Sequence, residues 1–178
     1  MNKQPLSASK DAEGMSDTPD LVDSFYRDLV RPLGNVAILF AQAEASLLDL
    51  ITVLGELSES DAHAILRAPN AKQRVLELVR SSGLDGFDLM EIKRGVDSFW
   101  NDKERRNRFF HDEWFPDVFQ GGTPMTRGLP RRKGSDRVVF GNPNAHDVWD
   151  LARCFQEQEH LFSATAYHVR RRRRSDID

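Results

Sequence analysis

Residues Glu104–Trp114 read ERRNRFFHDEW. Upstream, Ile92, Val96 and Phe99 recur at helical spacing, and Phe110 continues their stripe. The pattern predicts a long amphipathic helix from about Asp88 to Trp114, with Trp100 beside the stripe and Pro116 ending it. Asn107 and His111 share a helix face, and Arg106 lies about 140° from His111. Charged groups this close to a core-facing stripe are costly unless they are paired or used.

Working outward, the clearest helix upstream is LGNVAILFAQAEASLLDLITVLG, 33–55. Val36, Phe40, Leu47, Ile51 and Leu54 form its apolar stripe, Glu44 interrupts it, and Gly55 is a natural stop. A preceding helix near Pro19 carries Leu21, Phe25 and Leu29, and Pro32 is expected to break or kink it. Two shorter helices follow, one capped by Ser58 and one opened by Asn70 and ending near Gly83. Downstream, residues 117–143 are rich in Gly, Pro and Arg and read as a long loop with one short strand at 137–140. Asn144 and Asp147 resemble a cap for a last helix whose stripe is Val148, Leu151, Phe155, Phe162 and Val169.

The fold class is therefore all-α, a bundle of four main helices plus short ones, with an Arg/Gly/Pro-rich loop before the last. The chain divides into a disordered tail at 1–18, one helical domain at 19–170 and a polybasic tail at 171–178. At 178 residues one domain can bury a real core. A 39% apolar and 30% charged composition fits a soluble protein with much solvated helix surface. A net charge of -3 excludes a global basic field for nucleic acid. The distribution is uneven: 19 of the 25 basic residues are arginine, and many of these cluster at 105–108, 127–137 and 170–174. Arginine suits the planar grip of phosphate, although coding bias produces the same skew. The lone Cys154 admits no internal disulfide and fits a reducing cytoplasm. No leader pattern stands at the start, and no apolar run reads as a membrane span. Glu157 and His160 have the Glu-x-x-His spacing of di-iron bundles, but no second pair exists, so neither metal nor cofactor is expected.

The segment around Arg106, Asn107 and His111 resembles the HEPN domain (higher eukaryotes and prokaryotes nucleotide-binding). That family is a helical bundle with an Arg-x4-6-His motif near the end of its third main helix, the Arg often followed by a polar residue. An earlier helix of the type seen at Leu33-Gly34 through Ala41, Glu44 and Leu47 also fits, and the resemblance spans about 20–170. The loop Arg residues and the terminal run lie outside the family pattern. The spacing alone is unspecific: chance gives roughly half a match in this composition.

The resemblance implies a metal-independent endoribonuclease, a toxin or anti-phage effector, in which two copies face their motifs across one groove. Histidine, with an ordinary pKa of about 6.5, suits proton transfer at a ribose 2′-OH. Arginine suits the charge that develops on phosphorus oxygens. The catalytic candidates are Arg106, Asn107 and His111, supported by Glu44 and Asp112. Arg105, Arg108, Arg131, Arg132, Arg170 and Arg171 are RNA-binding candidates, and the product would carry a 2′,3′-cyclic phosphate. Expected partners are RNA, a second copy of the chain, and an antitoxin or nucleotidyltransferase, with no membrane.

Each candidate has a plainer reading. Arg106 could pair with Glu44 or Asp112 while His111 caps the helix end. Glu44 could sit at a solvent-facing stripe edge instead of beside Arg106. The terminal arginines could be solvated. The competing class is a non-catalytic helical module that keeps the scaffold for dimerisation or partner binding. A third is a nucleic-acid-binding regulator that uses the arginine-rich segments.

Overall fold

The structure is a computed structural model that describes residues 21–84, 86–117, 123–128, 139–141 and 143–175. It is mostly helical: α1 (Leu21–Gly55), α2 (Glu59–Arg67), α3 (Ala71–Ser81), α4 (Gly86–His111) and α5 (Ala145–Ser175). Between α4 and α5 lie three strands, β1 (Glu113–Asp117), β2 (Thr123–Gly128) and β3 (Val139–Gly141), which form an antiparallel sheet in the order β1-β2-β3.

Local signals account for several boundaries. Ser58 accepts a hydrogen bond from the Asp61 amide at 3.2 Å and starts α2. Asn144 and Asp147 cap α5 reciprocally, at 2.8 and 3.0 Å. Asn70 stands at the N-cap of α3, as expected, without a side-chain hydrogen bond to the helix.

Pro32 does not break α1, which is one helix of 35 residues. Proline removes one hydrogen bond. Its position is nonetheless buried in register with Leu29 and Val36, so breaking the helix there would expose the stripe on both sides.

The core is built on α1 and α5, which share the largest helix contact. Ser46 meets Glu159, Asp49 meets Arg170, and Arg173 meets Val53, so α1 and α5 run parallel. Helix α4 is antiparallel to both: Glu44 meets Lys103, Asp102 meets Gln158, and Asp88 meets Arg172. Phe99 of α4 centres an aromatic cluster, stacked on Phe40 at 5.8 Å and edge-on to Phe155 and Phe162 at 6.2 and 6.0 Å. Gly95 lets α4 close on α5, because a Cβ there would lie 2.5 Å from a Leu161 methyl carbon.

The Asp28–Gly55 part of α1 is long and apolar enough to cross a membrane, with a hydropathy of 1.7, although the sequence reading found no such run. Length and composition do not separate a span from a core helix, and Val36, Ala43, Leu47 and Leu50 are buried against the bundle.

The segment 117–143 is not simply a loop with one strand. Helix α4 stops at His111, and Trp114 closes back on its end, donating from Nε1 to the Phe109 carbonyl at 2.7 Å. The chain then enters β1, with Trp114 opposite Thr126 and Pro116 opposite Pro124. Pro124 lies outside the stretch of β2 that pairs with β3, so its missing N–H costs that ladder nothing. The expected 137–140 strand is seen as β3 from Val139, and 137–138 lie outside the described residues. The expected polybasic tail is helical as far as Ser175, and the 1–18 tail lies outside the described residues.

Candidate functional site

Arg106 lies near the C-terminal end of α4, where that helix crosses Phe40 of α1. Its guanidinium is held between two rings, 4.9 Å from the Phe40 centroid and 4.6 Å from that of Phe110. The second contact follows from sequence, since 106 and 110 are one turn apart. The first needs the α1–α4 packing. Phe110 is 38% exposed, so the sandwich has an open side. Arg106 Nη1 donates to Asn107 Oδ1 at 3.1 Å, and its buried Nε has no hydrogen-bond partner. Among the described residues no carboxylate lies within ion-pair distance of Arg106, so it pairs with neither Glu44 nor Asp112.

Glu44 does not support Arg106 directly. Its carboxylate accepts from Lys103 Nζ at 2.9 Å, and that ammonium lies 5.5 Å from the Phe40 centroid and 5.9 Å from that of Phe99. Lys103 is a site residue that the sequence reading missed. Its signal was present: Lys103, Arg106 and Phe110 share one helical stripe. Lysine and glutamate neutralise each other, so among the described residues Arg106 is left over Phe40 without an ion-pair partner.

His111 is the last residue of α4 and is exposed. Its imidazole makes no hydrogen bond or ion pair among the described residues. Asn107 is half-buried between the two, bonded to Arg106 and one turn before His111. The Asp112 amide donates to the Arg108 carbonyl at 2.8 Å as the helix ends. Arg106, Asn107 and His111 therefore share one end of the bundle.

Few of the arginines proposed for RNA gather there. Arg105 points to the opposite flank and pairs with Asp102 at 2.9 Å. Arg108 is exposed on α4. Arg131 and Arg132 lie outside the described residues. Arg170 pairs with Asp49, and Arg171 is exposed one residue on. This run is roughly 20 Å along α5 from Phe155, which packs at the level of Phe40.

The run also has a structural task. Arg173 donates to the Val53 and Leu54 carbonyls at 2.6 and 3.5 Å and pairs with Glu56 at 3.2 Å. It thus satisfies carbonyls at the end of α1. Arg173→Ala is expected to cost about 1–2 kcal/mol in urea unfolding. Arg171→Ala should stay within about 0.5 kcal/mol. Equal effects at both positions would rule out the capping role.

No family model matches the chain, and neither the curated proteins nor the solved structures give a match.

Proposed function

We propose that this chain is a metal-independent endoribonuclease of the HEPN type, working in the cytoplasm as a homodimer. The observation that carries the reading is Arg106: a half-buried guanidinium without a carboxylate partner among the described residues, clamped between Phe40 and Phe110 and bonded to Asn107. A half-buried planar cation with no carboxylate partner among the described residues is suited to a phosphodiester.

In this reading His111 accepts the proton of a ribose 2′-OH. The 2′-oxygen attacks phosphorus, the bond to the 5′-oxygen breaks, and that oxygen leaves as a 5′-OH by taking up the proton that the imidazole received from the 2′-OH. The other product end is a 2′,3′-cyclic phosphate. Arg106 stabilises the charge on the non-bridging oxygens, and Asn107 orients Arg106. The roughly 140° between Arg106 and His111 on one helix is the geometric reason for two copies: motifs from both would complete a single groove. RNA is the substrate, and a toxin or anti-phage role, with an antitoxin or nucleotidyltransferase as regulator, is part of the proposal.

One observation favours a second reading. The Phe40–Arg106–Phe110 stack is itself a packing interaction, so Arg106 could serve a non-catalytic module that dimerises or binds a partner. Incubating the protein with total RNA and a defined transfer RNA in EDTA separates the two. The ribonuclease reading expects cleavage with 2′,3′-cyclic phosphate ends. Intact RNA after incubation with folded, dimeric protein would transfer the weight to the interaction module.

A further inference from the structure

A separate cleft of about 320 Å³ opens between α4 and α5, on a different stripe of α4 from the one that carries His111. Its walls include Glu91, Arg94, Asp102, Cys154, Glu157 and Gln158. Asp102 is buried and fully engaged: Arg105 Nη1 donates to one carboxylate oxygen at 2.9 Å and Gln158 Nε2 to the other at 2.7 Å. Gln158 is only 5% exposed. With its amide nitrogen committed to Asp102, its Oε1 is left buried without a hydrogen-bond partner. Rotating the amide cannot relieve this, since Oε1 would then face the Asp102 carboxylate. A buried acceptor without a donor is costly, and Gln158 is one of the residues that line the cleft.

The charges around the cleft specify the donor. Glu91 is paired with Arg94 at 3.0 Å, and Asp102 with Arg105. Glu157 is exposed and has no ion-pair partner among the described residues. Among the described residues the three carboxylates have two guanidinium partners, which leaves Glu157 without one. The volume equals about ten waters at ~30 Å³ each, enough for a short alkyl chain with a charged head.

We propose that this α4–α5 cleft binds a small organic cation bearing N–H donors, an alkylguanidinium or primary alkylammonium, with Gln158 Oε1 as buried acceptor and Glu157 as counter-charge. The site is independent of the ribonuclease reading and stands or falls separately. Cys154 on the cleft wall serves as a reporter. Burial, and then the neighbouring Asp102 carboxylate, push its thiol above the ordinary cysteine range, so its alkylation is slow before any ligand is added.

The test titrates the full chain with agmatine and, separately, with putrescine. It follows calorimetric heat, the Gln158 side-chain amide resonances and the rate of Cys154 alkylation by iodoacetamide. Saturable binding should shift the Gln158 resonances. At ten times the dissociation constant it should slow Cys154 alkylation about tenfold. Glu157→Gln should weaken binding roughly fivefold with the melting temperature unchanged. Binding of agmatine alone would assign the guanidinium head, and binding of both would assign the ammonium. If neither probe moves the Gln158 resonances or protects Cys154, solvent satisfies the acceptor and the proposal is overturned. Binding that ignores Glu157→Gln overturns it as well.

Discussion

His111→Ala is expected to lower RNA cleavage by about 10²- to 10⁴-fold while the protein unfolds at the same temperature as wild type. The two halves of this expectation belong together. The imidazole is exposed and makes no hydrogen bond or ion pair among the described residues, so its removal leaves no buried group unsatisfied. A large loss of activity without a loss of stability would therefore report chemistry. Arg106 requires a finer comparison, because Arg106→Ala also empties the space between Phe40 and Phe110. Arg106→Lys keeps the charge and much of the packing but loses the planar fork. Cleavage by this variant should fall about 10²-fold or more, with stability held within about 1 kcal/mol. Full activity in either His111→Ala or Arg106→Lys would rule out the assigned roles. Mixing the two inactive variants adds a test of the dimer: restored cleavage would show that the two copies contribute different residues to one groove.

Phe99→Ala is expected to be the most damaging single core change, at about 3–5 kcal/mol. For a chain of this size that lowers the melting temperature by roughly 10 °C or more. Phe99 is almost fully buried and meets the rings of Phe40, Trp100, Phe155 and Phe162, so truncation leaves a cavity shared by α1, α4 and α5. The effect should reach the candidate site, because the Phe40 ring that stacks on Phe99 also carries the Arg106 guanidinium. Folded Phe99→Ala protein should lose cleavage activity beyond its loss of stability. Trp149, exposed on α5 with Arg31 5.9 Å from its ring, gives the contrast: Trp149→Ala should cost far less. A Phe99→Ala cost below about 1 kcal/mol would mean that the three helices do not converge on this ring.

The candidate site was only partly legible in the sequence. Arg106, Asn107 and His111 could be placed together at a helix end from spacing alone. The placement of Glu44 beside Arg106 failed, because a carboxylate on α1 can meet any cation that α4 brings opposite, and the helix crossing selects Lys103. The arginines at 170–174 read as a solvated tail because five like charges in a row normally repel. Here Asp49, Glu56, Asp88 and the end of α1 lie alongside, and the packing of α5 beside both α1 and α4 supplies those partners.

By itself the sequence determined what depends on neighbours within about one helical turn. It set the long helices through stripes such as Ile92, Val96 and Phe99. It also set the caps at Ser58 and at Asn144 with Asp147, and the pairing of Arg106 with Phe110. Only the tertiary structure decided that α1 continues through Pro32, that 113–141 contributes a three-stranded sheet, and that Gln158 is tied to Asp102. The reason is one of range. A proline, a glycine-rich segment or a buried amide has several local solutions of similar energy, and burial against a distant part of the chain selects among them.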